Sequence, residues 1–408
     1  MAAEKRVDSK GRKLPDGYTQ RPDGRYMARF TYCGKRYTLY DLELHKLKEK
    51  VNAKKYELEH GLYRKNTSYT LNEWFDIWVE TYYKGKVKIS TFYARKSMYE
   101  RYAKDSNIGN MKLQSIKSVH IVDFYKSLSS VLKYQTIKIL HHVINVLMET
   151  AVENDLILSN PASGALKYLE KSTVKRSRAL TIEEQKRVLQ YLESNGYWKP
   201  YKPFFIVAFN TGMRIGELCA LQWSDIDYDS GLINVSKTLQ YIKGDNGKMQ
   251  FHVGTPKTKK SIRTIPMTAA VKSAFLEQQE LLQHYPYKNV KCVDVCGYSD
   301  FVFITRNGTP REEHNINHCC KRIVAGLNKR EVEQARKENR SPYNMEDFAP
   351  HSMRHTFTTR AFESGMKPKA IQEILGHCNI SMTMDIYTHL TEGMKKQEIE
   401  VFEKYMNN

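Results

Sequence analysis

At 408 residues the chain is too long for one ordinary core, and two to three domains are expected. Lys and Arg number 65 against 45 Asp and Glu, a net charge of +20 that biases the protein toward polyanions, nucleic acid being the commonest. A mean hydropathy of -0.61 argues for a soluble protein, and no run of about 18 uncharged apolar residues suggests a membrane span. The opening MAAEKRVDSKGRKLPDG reads as a polar arm without the apolar stretch of a secretory leader, so a cytoplasmic location is expected. Seven scattered cysteines (Cys33, Cys219, Cys292, Cys296, Cys319, Cys320 and Cys378) fit reduced thiols and not a disulfide framework.

Residues 1–66 are the most basic section, with 17 Lys and Arg against 9 Asp and Glu. Within them RPDGRYMARFTYCGKRYTLYD alternates basic and aromatic residues, with Gly24 and Gly34 at turn positions, which predicts two or three short strands joined by hairpins. LELHKLKEKVNAKKYELEHGLY continues at helical spacing and stops near Gly61. Such a small sheet with one helix suits DNA reading, because a β-ribbon fits the major groove. A basic scaffold or oligomerisation arm is the alternative.

Residues 67–165 read as helical. TLNEWFDIWVETYY opens after a Thr cap with Trp74, Ile77 and Trp78 on one face. STFYARKSMYERYAK, KSVHIVDFYKSLSS and YQTIKILHHVINVLMETAVEND follow, each with apolar residues three and four apart, until Asn160-Pro161 and Gly164 break the pattern. Four to five helices with basic outer faces are expected. Residues 166–179, LKYLEKSTVKRSRA, form a basic linker, and a third domain, 180–408, starts at a capping box of Thr181 and Glu184. It is mostly helical, with a strand-rich insert at GLINVSKTLQ and SIRTIPM. The fold class is therefore multidomain and mainly α: a small N-terminal α+β module, a helical domain, and a mixed, mostly-α domain with a small antiparallel sheet.

Phosphodiester transfer places extra negative charge on the nonbridging oxygens and leaves an oxygen in need of a proton. Arg forks answer the first need, because guanidinium pairs bidentately with phosphate. A Lys or His answers the second. An enzyme that conserves the bond's energy for rejoining also needs its own nucleophile. FNTGMRIGEL supplies Arg214 after Thr211-Gly212, with Glu217 three residues on; PHSMRHTF places His351 and Arg354 three apart, on one face of a helix; LGHCNISMTMDIYTHL carries His377 and Tyr387. TPKTKKSIRTIPM, between the first two, has the look of a hairpin whose turn presents Lys257, Lys259 and Lys260. Glu217 is expected to be structural, holding Arg214 or a nearby backbone group.

In order and spacing these segments resemble the signature boxes of the tyrosine recombinase (phage integrase) family, over about residues 180–395. The boxes are Thr-Gly-x-Arg-x-x-Glu-Leu, His-x-x-Arg-His and Leu-Gly-His…Tyr-x-His. Residues 67–165 are similar in pattern to that family's core-binding domain, and the basic N-terminal piece resembles the arm-binding domain of conjugative-transposon and temperate-phage integrases. The resemblance implies a site-specific DNA recombinase that integrates and excises a mobile element. Tyr387 would attack the scissile phosphate to give a 3′-phosphotyrosyl link, while Arg214 and Arg354 clamp the nonbridging oxygens. Lys257, favoured over Lys259 and Lys260 by its agreement with the family's hairpin position, would protonate the leaving 5′-oxygen. His351 would be the general acid–base and His377 would hydrogen-bond the phosphate. It implies no metal and no nucleotide cofactor. Its partners would be double-stranded DNA at core and arm sites, a homo-tetramer on two duplexes, an excisionase and a host DNA-bending protein, with nucleoid association when DNA-bound.

Cys292-x₃-Cys296 and His314-x₃-His318, beside Cys319 and Cys320, imitate zinc spacing. The intervening SDFVFITRNGTP reads as a strand and turn and lacks the compact pattern of a zinc finger. His355 suits packing more than chemistry. The tail TEGMKKQEIEVFEKYMNN, with Met394, Ile399, Val401, Phe402 and Tyr405, is loosely amphipathic; the resemblance implies docking on a neighbouring protomer, with packing against its own domain as the alternative. Two further functional classes stay open: a type IB topoisomerase-like DNA relaxing enzyme, and a DNA-binding regulator without catalysis.

Overall fold

The computed structural model describes residues 7–32, 35–59, 69–171, 178–244, 247–256, 259–384, 403 and 405–406. Lys257, Tyr387, His389 and the tail residues Met394, Ile399, Val401 and Phe402 lie outside them. The chain divides into two compact units, residues 1–173 and 174–408.

In the first unit, β1 (Tyr18–Gln20), β2 (Tyr26–Tyr32) and β3 (Lys35–Asp41) form an antiparallel sheet in that order, followed by α1 (Leu44–Glu59). Period-2 alternation sends Tyr26 and Ala28 inward, where they meet Leu47 and Val51, four apart on α1. The alternate positions Arg29 and Thr31 face solvent.

The same unit holds a separate helical cluster. It comprises α2 (Leu71–Trp78), continued by a π-turn at Val79–Tyr83, then α3 (Ile89–Tyr102), α4 (Asn107–Asn110), α5 (Ser118–Leu128) and α6 (Tyr134–Glu153). Thr70 caps α2: the Glu73 amide donates to its hydroxyl and its own amide donates to the Glu73 carboxylate. The buried stripe is Leu71, Trp74, Phe75 and Trp78, spaced 0, 3, 4 and 7. Ile77, expected on that face, sits at its edge and is exposed. Helix α6 is the hub, burying Ile137, Leu140, Val143, Ile144, Leu147, Met148 and Ala151. The indoles satisfy their N–H groups on it, Trp74 at the Leu147 carbonyl (3.0 Å) and Trp78 at the Thr150 hydroxyl (3.2 Å). Leu166 and Leu169, within the segment expected to be linker, pack against this cluster.

The second unit opens with α7 (Ile182–Ser194), capped by Thr181 and Glu184 as the sequence indicates. Then come α8 (Lys202–Thr211) and α9 (Ile215–Cys219). Strands β4 (Ile226–Asp227), β5 (Leu232–Val235), β6 (Thr238–Lys243), β7 (Met249–Gly254) and β8 (Arg263–Pro266) follow. Helices α10 (Ala269–Gln283), α11 (Glu313–Lys337), α12 (Pro350–Glu363) and α13 (Pro368–Leu375) complete it. Apolar α8 runs through the core with Phe204, Phe205, Val207 and Ala208 buried, and α10 and α12 pack on it.

The strands pair differently from the expected hairpin at 255–267. β6 pairs β7, whereas β8 pairs β5 in a separate sheet of order β4-β5-β8. The lysine segment is thus a connection between two sheets, because Ile265 of β8 finds its inward-facing partner in Ile233 of β5. SDFVFITRNGTP likewise makes isolated bridges, Gln222 to Phe301 and Ile304 to Pro310, and no full strand, although Phe301, Val302, Phe303 and Ile304 are all buried.

Replacing Trp74 with Phe should cost about 2 kcal/mol, from lost volume and the lost hydrogen bond. A lowered urea midpoint for loss of the helical circular dichroism signal would register it.

Candidate active site

Helix α8 ends where Gly212 takes a left-handed conformation (φ 60°). A side chain there is excluded twice over, by that φ and by Phe357 and Leu375, whose atoms would stand 2.4 and 2.8 Å from a Cβ. The turn throws Arg214 out as the residue preceding α9, and Glu217 folds back onto it. The Arg214 amide donates to Glu217 Oε2 (3.0 Å) and its Nη1 to Oε1 (2.8 Å). The expected structural role of Glu217 is met in this geometry. A second arginine, Arg263 of β8, donates from Nη2 to Glu217 Oε2 at 2.9 Å.

Helix α12 carries the second box. Arg354 is 4% exposed and is stretched between two chain segments, Nη1 donating to the Gly212 carbonyl and Nη2 to the Leu375 carbonyl, both at 2.8 Å. His351 lies one turn earlier, and its ring stands edge-on to His355 with centroids 4.8 Å apart. Pro350 fits the first turn, where its missing N–H costs nothing. The third box follows α13, which Gly376 ends in a left-handed turn. His377 is buried, its Nδ1 sharing a hydrogen bond with the Thr383 hydroxyl (2.9 Å), while the Gln372 amide donates to its carbonyl (3.0 Å). Arg214, His351, Arg354 and His377 are therefore brought into one another's electrostatic field.

That field is strongly positive. Burial raises the pKa of Glu217, but Arg263 and then Arg214 more than offset this and hold it below the ordinary carboxylate range. Burial, followed by repulsion from Arg214, lowers the basicity of Arg354, which as an arginine stays charged. His377 falls to about 3 through burial and then through Arg354, Arg214 and Arg263. His351 is pushed in the same direction by burial, His355, Arg354 and Arg214, with solvent on its exposed side screening part of the effect. At neutral pH both imidazoles are uncharged beside fixed guanidiniums, an arrangement that an anion would relieve.

Sequence reasoning left Arg263 and Thr383 unassigned. Arg263 acts through contacts made only by tertiary packing, whereas Thr383 lies six residues after His377 within the third box, where its hydroxyl carries no signal of its own. Lys260 is exposed, just ahead of Arg263 on the same connection. Among the described residues no cluster of three or more His, Cys, Asp or Glu is placed to hold a metal. Cys319 and Cys320 are buried in α11, and Cys296 is exposed near His252.

A helical fold that brings two arginines and two neutral histidines together forms a cationic cluster of a kind suited to a phosphate. The phage integrase family model matches residues 178–394, and a phage integrase N-terminal SAM-like domain matches residues 70–129. The transposase from transposon Tn1545 of Streptococcus agalactiae is 29% identical, with 98% of each chain covered. A XerC-like tyrosine recombinase of Caldanaerobacter subterraneus is 29% identical over 87% of this chain and 89% of its own. A structure of the Tn1549 transposon integrase in complex with a circular intermediate DNA matches with a TM-score of 0.68 at 27% identity, covering 82% of this chain and all of that one. The chain belongs to the phage integrase family, and is thus a tyrosine recombinase, an enzyme of site-specific DNA recombination.

Glu217→Gln keeps the shape but leaves two arginines without their counter-charge, and should cost about 3 kcal/mol at neutral pH. The wild-type carboxyl has a depressed folded pKa, so its contribution is present above the unfolded value of about 4.3 and lost as pH falls through the folded one. The gap between the two proteins in urea melts should therefore shrink as pH falls below about 4.3 and through the folded pKa.

Proposed function

We propose that this recombinase integrates and excises a mobile element, cutting each strand with Tyr387 as nucleophile. The observation that carries the reading is the Arg214–Arg354 pair, each arginine anchored by protein in a cluster whose balancing carboxylate, among the described residues, is Glu217. In-line attack by the Tyr387 oxygen on the scissile phosphorus would form a 3′-phosphotyrosyl bond and break the bond to the 5′-oxygen. The two guanidiniums meet the charge on the nonbridging oxygens, and His377, its ring fixed by Thr383, adds a hydrogen bond. Neutral His351 is suited to take up the tyrosine proton, and Lys257 to protonate the leaving 5′-oxygen. Attack by a 5′-hydroxyl of another strand reverses the sequence of events, so bond energy is conserved without a nucleotide cofactor.

The proposed division of labour is threefold. Residues 1–66 bind arm-type sites through the three-stranded sheet, residues 67–165 bind the core site, and residues 180–408, joined through the 166–179 linker, carry the chemistry. Each protomer has one nucleophile and an exchange between two duplexes needs four cuts, which supports a homo-tetramer. An excisionase and a host DNA-bending protein would act as accessories, and the net charge of +20 suits nucleoid association in a bacterial cytoplasm.

On a nicked suicide duplex carrying the core site, the protein should form a covalent adduct that Tyr387→Phe abolishes while duplex affinity stays within about twofold, since affinity comes from the basic surface. An adduct that survives the substitution would defeat the reading. Strand exchange between two separate duplexes then separates a recombinase from an enzyme that only relaxes supercoils. Binding should weaken steeply with salt, log K falling by about 0.9 for each phosphate contact per decade of salt, as a titration by fluorescence anisotropy would measure.

A further inference from the structure

We propose that Arg263 is a positioning residue for strand cleavage: it fixes the two phosphate-clamping guanidiniums, Arg214 and Arg354, relative to one another. Its side chain is 6% exposed, and each of its three nitrogens already has an acceptor on a different stretch of chain. Nη2 donates to Glu217 Oε2 (2.9 Å), Nη1 to the Ser261 carbonyl (3.0 Å) and Nε to the Ile374 carbonyl. Each nitrogen of Arg263 is thus engaged by protein, which fixes the guanidinium in place. The planar fork of an arginine spreads its donors over acceptors on separate segments, whereas the three donors of a lysine ammonium radiate from one atom.

The geometry of those acceptors gives the contact its meaning. Ile374 and Leu375 are the last two residues of α13, whose terminal carbonyls have no partner within the helix and form the negative end of its dipole. Arg263 takes the first carbonyl and Arg354 takes the second. Arg263 also holds one oxygen of Glu217, and Glu217 holds both the amide and the guanidinium of Arg214. One helix end is thus tied directly to Arg354 and, through Arg263 and Glu217, to Arg214. Gly376 closes the same joint: a Cβ there would lie 3.1 Å from Arg263 Cδ and 3.1 Å from the Lys260 carbonyl.

This inference rests on the proposed clamping roles of Arg214 and Arg354, and the test is chosen to separate the two claims. Single-turnover adduct formation is measured on two suicide duplexes, one with an ordinary scissile phosphate and one with an uncharged methylphosphonate there. Removing the nonbridging charge removes much of the need for aligned guanidiniums. Arg263→Ala should slow adduct formation about 100-fold on the phosphate, the usual loss for a misaligned charge-stabilising donor, but less than about tenfold on the methylphosphonate. Duplex affinity should stay within about twofold, because counterion release from the basic surface sets it. Arg263→Lys, which keeps a positive charge beside Glu217 and loses the fork, should show the same selectivity in milder form. It also answers the question should the alanine variant fail to bind DNA.

Equal losses on both duplexes would mean that Arg263 supports only the general fold, and no loss would mean that it supports nothing; either overturns the proposal. A wild-type protein that forms no adduct on the ordinary duplex would overturn the recombinase mechanism along with it. A wild-type protein that cleaves, joined to an Arg263 variant without selectivity, overturns this inference alone.

Discussion

A single buried carboxylate organises the catalytic domain. Glu217 is 3% exposed and accepts hydrogen bonds from two arginines and from the backbone amide at the start of its own helix. Burying one charge is costly unless it is paired and fully hydrogen-bonded, and here each side of the pairing meets that condition for the other. Glu217 keeps its charge because Arg263 and Arg214 surround it, and these arginines can approach one another because Glu217 stands between them. Remove it and three guanidiniums, Arg214, Arg263 and Arg354, are left to repel.

The balance is deliberately incomplete in sign. Among the described residues three arginines stand against one carboxylate, and their repulsion adds to burial in lowering the basicity of His351 and His377. A transition state with added negative charge is the species that such a field favours, without reorganisation at the moment of reaction. Burial and the same field together keep the imidazoles neutral and weaken them as bases, and a bound phosphate would draw their pKa values back up.

Much of this was legible in the chain, for reasons that differ between elements. Arg214, His351, Arg354 and His377 were findable because each sits at fixed spacing from punctuating residues, Gly212 before the first and Gly376 before the last. The Thr70 and Thr181 caps were legible because a capping box is a local pattern. The pairing of β8 was not: SIRTIPM alternates equally well as the second arm of a hairpin, and only the position of Ile233 in the core decides that β5 is its partner. Ile77 misled because a helical stripe has edges that composition does not mark. Arg263 was invisible for the deeper reason that its three acceptors come from residues 217, 261 and 374, which nothing in the sequence brings together. Tyr387 and Lys257 rest on the sequence, lying outside the described residues.

The start of the catalytic domain has a practical meaning for anyone dividing the protein. Arg178, within the segment read as linker, grips both oxygens of buried Glu184 at 2.6 and 2.9 Å, and Tyr343 donates to the same carboxylate. Two residues on, the Leu180 amide donates to the hydroxyl of Thr356, on the helix that carries His351 and Arg354. A fragment begun at Thr181 would look complete by its capping box, yet it would leave Glu184 without its arginine and Thr356 without its donor. The seam at which this chain can be cut cleanly therefore lies upstream of Arg178, several residues before the first helix of the domain that it would release.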